Sequence, residues 1–171
     1  MKIPSISPKH LEEFLIRHLE GDARLRQPVC IYGAPGGGKS SIVQQVSAAL
    51  RRPLTTIHAA QYQEVDATGI PVPGADGWAS WQRFRDFLPQ DERSLLFFDE
   101  FTHATDTQRV AMCLIDRTGV GSILPRGVMI VLAGNRAEDR AMAHRVITPV
   151  QRRCIQLDLA FSLDDWLAWA S

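Results

Sequence analysis

The chain has 171 residues, 45% of them hydrophobic and 22% charged, which suits one globular domain with a core of its own. Its 19 basic and 19 acidic residues cancel, so the total charge does not point to nucleic acid, and no apolar run approaches the ~20 residues of a membrane-spanning helix. Met1–His10 lacks the apolar centre of a secretory leader, which makes the cytoplasm the expected compartment. Cys30, Cys113 and Cys154 lie far apart among apolar neighbours. They read as buried thiols in a reducing compartment, not as metal ligands.

Residues 1–27 form a lead-in. Leu11, Phe14, Leu15 and Leu19 fall on one face of a helix that Gly21-Asp22 ends. Residues 28–160 form the core. Pro28–Tyr32 reads as a strand that runs straight into Gly33-Ala34-Pro35-Gly36-Gly37-Gly38-Lys39-Ser40, a match to G-x-x-x-x-G-K-[ST]. The glycines let the backbone wrap a phosphate with its N–H groups turned inward, and the helix predicted over Ser40–Leu50 offers its positive end to the same group. Lys39 would reach the β- and γ-phosphates of ATP. The Ser40 hydroxyl would hold Mg²⁺, and Ser41 completes the nucleotide-binding set.

Leu54–His58 is a second strand. Residues 61–90 carry Gly69, Pro71, Pro73, Gly74 and Gly77, so turns dominate, and Val72–Trp78 is expected to be a hairpin or an ordered loop. Trp78 and Trp81 in this stretch are expected to cover the sheet edge; gripping a partner or lining a pore is the alternative. His58 and His103 have no partner at metal-ligand spacing and read as surface or satisfied core residues.

Ser94–Phe98 is a near-continuous apolar run, the pattern of a strand buried on both faces. It ends in Asp99-Glu100, at the strand edge where open α/β sheets bind ligands. Asp99 would bind the Mg²⁺ directly or through water, and Glu100 would polarise an attacking water as general base. Binding alone has no need of Glu100, so the pair points to hydrolysis.

Thr107–Ile115 reads as a helix, Gly119–Arg126 as a turn or small hairpin, and Val128–Ala133 as another buried strand. Asn135 follows that strand, where it could position the water and sense the γ-phosphate; a Gly134-Asn135 turn explains it equally well. Residues 137–153 are expected to be mostly helical, interrupted near Pro149. Arg136, Arg140, His144 and Arg145 lie beside Glu138 and Asp139, as on an ion-paired helix surface or a subunit interface. Arg152 and Arg153 precede the last strand, Cys154–Leu159. There a guanidinium could serve as an arginine finger or sit as a solvated helix end. Residues 161–171, with Ser162 as a helix cap, look like the start of a truncated C-terminal helical region. The alternation of strands and helices implies a three-layer α/β/α P-loop NTPase core with a mainly parallel central sheet.

Taken together, Gly33–Ser40, Leu95-Leu96-Phe97-Phe98-Asp99-Glu100 and Ala133-Gly134-Asn135 resemble the AAA+ ATPases. The run Ala133–Arg140 followed by His144-Arg145, and Val65–Pro71, look like the MoxR branch. The resemblance spans about residues 10–170. It implies that Asn135 is the first sensor and that Arg153, with Arg152 its neighbour, is an arginine finger acting on ATP held by the next subunit. It therefore implies a homo-oligomeric ring, commonly a hexamer. Residues 65–82 and 118–127 fall where the branch carries insertions that face the pore or the client. Many members remodel a protein partner, often one with a von Willebrand A domain. The helical lid that normally follows such a core has no counterpart before Ser171, and Gln151-Arg152-Arg153-Cys154 stands where many relatives have an Asn-Arg-aromatic run.

Three other readings share the phosphate loop. One is a nucleotide-dependent assembly switch with little turnover. Another is a DNA-directed motor, which the neutral charge disfavours. The third is a small-molecule kinase, which the Asp99-Glu100 pair argues against.

Overall fold

The computed structural model describes residues 3–22, 26–58, 69–82, 88–89, 91–103, 105–116, 124–136, 144, 146–162, 165 and 167. Ser7 opens the first helix, α1 (Pro8–Glu20): its hydroxyl accepts the His10 N–H, and Pro8 fills a first-turn position that needs no N–H. The helix thus starts three residues before the apolar periodicity becomes visible. Gly21 ends it as expected, its N–H donating to the Arg17 carbonyl.

The central sheet has six strands, β1 (Ser5–Ile6), β2 (Val29–Tyr32), β3 (Leu54–His58), β6 (Leu95–Asp99), β7 (Met129–Gly134) and β8 (Ile155–Leu159). They lie in the order β1-β8-β2-β7-β6-β3 and every neighbouring pair is parallel. Parallel neighbours need crossovers over the faces, and the helices supply them. Two faces then follow from the two-residue period of each strand. Val29, Ile31, Leu95, Phe97, Met129, Val131 and Ala133 pack against Leu11, Leu15 and Leu19 of α1 and Ile42, Val43 and Val46 of α2 (Lys39–Ala49). Cys30, Tyr32, Leu96, Phe98, Ile130 and Leu132 face the other way, onto Val110, Ala111 and Leu114 of α3 (Thr105–Asp116) and Val150 of α4 (Thr148–Gln151). The molecule is the expected α/β/α sandwich around a parallel sheet.

Two expectations need correction. The irregular stretch does hold a hairpin, but β4 (Ile70–Pro73) and β5 (Ala79–Gln82) form a separate two-stranded sheet. Trp78 at 78% and Trp81 at 44% exposure therefore do not cover the edge of the central sheet. Of the helix expected over 137–153, the described residues are helical only over Thr148–Gln151, with Pro149 in the first turn, where a proline is tolerated. Residues 137–143 and 145, and with them most of the Arg/His-rich run, lie outside the described residues, as do 65–68 and 118–123. Near the C-terminus, Ser162 and Asp165 cap each other: the Ser162 hydroxyl accepts the Asp165 N–H and the Asp165 carboxylate accepts the Ser162 N–H. Most of the expected helix beyond them is outside the described residues. Among the described residues no helix is long and apolar enough to cross a membrane.

Candidate functional site

The sheet register gathers the polar residues at one edge. Tyr32 at the end of β2 lies level with Gly134 on β7 and Asp158 on β8, and His58 lies level with Asp99. Because β7 is inserted between β2 and β6, the residue that follows it, Asn135, stands between the loop after β2 and the acids after β6.

Gly33–Gly38 form the loop. Gly36 (φ 74°) and Gly38 (φ 78°) are in the left-handed region, which side chains other than glycine rarely tolerate. A Cβ on Gly33 would sit 3.1 Å from the Leu159 carbonyl, so the loop leaves β2 in tight contact with the end of β8. Gly38 caps α2 without any side-chain hydrogen bond, which leaves the first-turn N–H groups of an eleven-residue helix for a ligand. Beside the loop opens a cavity of about 500 Å³, walled by Gly36, Gly37, Gly38, Ser41, Phe161 and Pro8.

Lys39 is 8% exposed, and its ammonium donates to the Gly33 carbonyl at 2.8 Å and the Ala34 carbonyl at 2.9 Å. It also reaches Asn135 Oδ1 at 3.2 Å. An ammonium this deep needs such acceptors, and they hold it over the loop. One residue on, Ser40 Oγ donates to Asp99 Oδ2 at 2.7 Å. The other carboxylate oxygen of Asp99 accepts the Glu100 N–H at 3.0 Å. Glu100 itself is exposed and has φ 56°, an uncommon conformation for a residue with a side chain. Buried Phe101 and Thr102 follow it in a short 3₁₀ turn.

Loop, Lys39, Ser40, Asp99, Glu100 and Asn135 are thus brought together. Arg152 and Arg153 are not. Both are exposed, and they precede β8, which runs parallel to β2. They therefore lie at the opposite edge of the sheet, a strand length of about 16 Å from this chain's own loop. Arg153 donates to the Pro149 carbonyl at 3.0 Å.

Comparisons with known proteins bear on the family and the fold. The model of the AAA domain, dynein-related subfamily, matches residues 28–145, well over half of the chain. The chain belongs to this AAA family. The AAA core is also similar to solved structures. A candidate ATPase of Cytophaga hutchinsonii is 12% identical, with a TM-score of 0.60 over 94% of this chain and 48% of that one. The RuvB Holliday junction branch migration motor of Thermotoga maritima is 14% identical, with a TM-score of 0.57 over 90% of this chain and 44% of that one. A single-residue variant of the same motor gives 0.58 at 15% identity, over 89% and 44%. At such identities the likeness is one of fold. The AAA domain spans less than half the length of each of these chains. No curated protein matches it.

Two further residues lie at this edge of the sheet, one of them, Thr102, not singled out by the sequence. Thr102, 1% exposed, accepts the Asn135 N–H on Oγ1 at 3.1 Å. Arg136, read as part of an ion-paired helix surface, is ion-paired instead with Asp158 and donates to the Leu159 carbonyl, tying the ends of β7 and β8 together. A hydroxyl residue two positions after an acidic pair is a weak sequence signal. The partner of Arg136 is set by sheet order and leaves none. Gly134 is the last residue of β7 and Asn135 follows it directly.

The remaining chemistry is structural. Burial pushes the Cys30 thiol up to about 12, so it stays protonated, and burial raises Cys154 as well. The described residues hold no cluster of His, Cys, Asp or Glu that would bind a metal by themselves.

Proposed function

We propose that this AAA domain binds ATP with Mg²⁺ and hydrolyses it, and that it works in a MoxR-like homo-oligomeric ring, commonly a hexamer, that remodels a protein partner in the cytoplasm. The strongest support is the convergence of an uncapped helix start, a buried lysine, a hydroxyl–carboxylate pair and a glutamate at one sheet edge.

The loop amides and Lys39 hold the phosphates, and the neighbouring cavity receives the nucleoside. Ser40 Oγ and Asp99 Oδ2 are hard oxygen donors, one of them anionic, of the kind Mg²⁺ takes. Ser40 would hold the ion through its hydroxyl, and Asp99 directly or through water. A bound Mg²⁺ would supply positive charge against the phosphoryl oxygens. Glu100 takes a proton from the water that attacks the γ-phosphorus, and the bond to the ADP oxygen breaks, giving ADP and phosphate. Asn135 orients that water and, through Lys39, registers the γ-phosphate. Arg153 of a neighbouring subunit, with Arg152 beside it, stabilises the charge on the transferred group. Their position at the far edge of the sheet suits action in trans. The exposed Trp78 and Trp81 on the hairpin suit contact with the client, for which a protein with a von Willebrand A domain is the MoxR-type candidate.

The test is the ATPase rate as a function of protein concentration. The wild-type rate per subunit should rise through the assembly range. Glu100→Gln and Arg153→Ala should each bind ATP without turnover. Mixed in equal amounts they should regain activity, because an intact Glu100 then meets an intact Arg153 from its neighbour. A rate per subunit that ignores concentration would rule out the ring, and wild-type turnover by Glu100→Gln would rule out the hydrolytic role.

A further inference from the structure

Thr102 is placed to do more than fill space. Its hydroxyl oxygen accepts the N–H of Asn135, thirty-three residues away, and its carbonyl accepts the His144 N–H at 2.7 Å. Its methyl and hydroxyl fill the notch left by the missing side chain of Gly134: a Cβ there would stand 2.4 Å from Thr102 Cγ2 and 2.7 Å from Oγ1. Thr102 therefore locks into the end of β7 by shape and by hydrogen bond together. On its other side it is two residues from Glu100, in a short turn. That turn is fixed by the Asp99 carboxylate at the Glu100 N–H and by the complete burial of Phe101. Asn135 in turn meets the Lys39 ammonium.

We infer that Thr102 is a positioning residue that sets Asn135 and Glu100 in a fixed relation, so that both address one water. The inference rests on the hydrolytic reading above. Two groups that act on the same water must be held to a fraction of an ångström, since a displacement of about 1 Å costs on the order of a hundredfold in rate. The only direct tie between the turn after β6 and the residue after β7, among the described residues, is the Thr102–Asn135 hydrogen bond. The bond joins the two segments that carry Glu100 and Asn135, and a valine would fill the same notch without making it.

Thr102→Val keeps the shape and removes the acceptor. Thr102→Ser keeps the acceptor and removes the methyl. With Mg-ATP, Thr102→Val should lose roughly tenfold to a hundredfold in kcat with KM for ATP within about twofold, and Thr102→Ser should recover most of the loss. In an Asn135→Ala background, Thr102→Val should cost nothing further, because it acts through Asn135. Hydrogen exchange at the Asn135 amide gives an arm independent of turnover: exchange should speed up about tenfold or more in Thr102→Val and stay near wild type in Thr102→Ser. A folded Thr102→Val with wild-type kcat would overturn the inference, whatever the Asn135 amide does. A wild-type protein without ATPase activity would instead overturn the hydrolytic reading, and the amide arm would still decide whether Thr102 positions Asn135.

Discussion

Ser40 Oγ and Asp99 Oδ2, 59 residues apart in the chain, meet at 2.7 Å across the edge of the sheet. The pairing follows from topology: α2 begins where the loop after β2 ends, and Asp99 closes β6 one strand beyond β7. The hydroxyl and the carboxylate are the donors assigned to Mg²⁺, so weakening either should first raise the need for the ion. Ser40→Ala is expected to weaken Mg²⁺ affinity in the nucleotide complex at least tenfold, measured by calorimetric titration of Mg²⁺ at saturating ATP. An unchanged Mg²⁺ affinity would remove Ser40 from the metal site. Binding of nucleotide without Mg²⁺ should change little, because Lys39 and the loop amides do not depend on that hydroxyl.

Glu100 combines a left-handed backbone with an exposed acid at the end of a buried strand. The conformation costs roughly 1 kcal/mol for a residue with a Cβ, and a site that needs a carboxylate there must bear it. Glu100→Gly should therefore stabilise the fold by up to about 1 kcal/mol in urea denaturation while losing a hundredfold or more of turnover. Glu100→Gln should leave stability near wild type with the same loss of turnover. Should Glu100→Gly prove clearly less stable than Glu100→Gln, the backbone strain is not stored at this residue.

Alkaline pH should weaken the fold through the core on the α3 side of the sheet. Burial raises the Cys30 thiol from its ordinary value near 9.0 to about 12, and it raises Tyr32 and Cys154 in the same direction. A group with a raised folded-state pKa favours the folded state fully below its unfolded pKa, and that contribution is lost as pH rises toward the folded value. Stability to urea should thus be level in these groups up to about pH 8.5 and decline from pH 9 upward. In Cys30→Ala the decline should be shallower. An unfolding midpoint flat from pH 8 to pH 11 would contradict the burial of these groups.

Much of this architecture is legible in the sequence because its signals are local. The loop glycines, the apolar run before Asp99-Glu100 and the 3.6-residue stripe of Leu11, Leu15 and Leu19 each declare themselves within a few positions. What is not legible depends on strand order. Nothing near residue 129 says that β7 slots between β2 and β6, yet that insertion brings Asn135 to Lys39 and Thr102 to Gly134. β1 has two residues, too few for any alternation to register. The start of α1 carries no apolar periodicity, only Ser7 as its cap and Pro8 in its first turn. Trp78 and Trp81 read as covering the sheet edge or as gripping a partner, and the separate hairpin leaves them exposed.

Gly134 offers the sharpest stability test, because the clash predicted there has a named partner. An alanine would bring its Cβ to 2.4 Å from Thr102 Cγ2, closer than real atoms approach, and Thr102 is buried and β-branched with little room to turn. Gly134→Ala should destabilise the fold by about 1–3 kcal/mol, the usual cost of overpacking, and should lower kcat because the strain falls on the residue before Asn135. Removing the two nearest atoms should relieve it. In a Thr102→Ala background the nearest remaining atom is the Cβ, 3.0 Å away, a gap that a shift of a few tenths of an ångström opens. A double-mutant cycle of Gly134→Ala and Thr102→Ala should therefore give a favourable coupling of about 1 kcal/mol or more in urea denaturation. Strict additivity would mean that the end of β7 and the turn after Glu100 do not interlock.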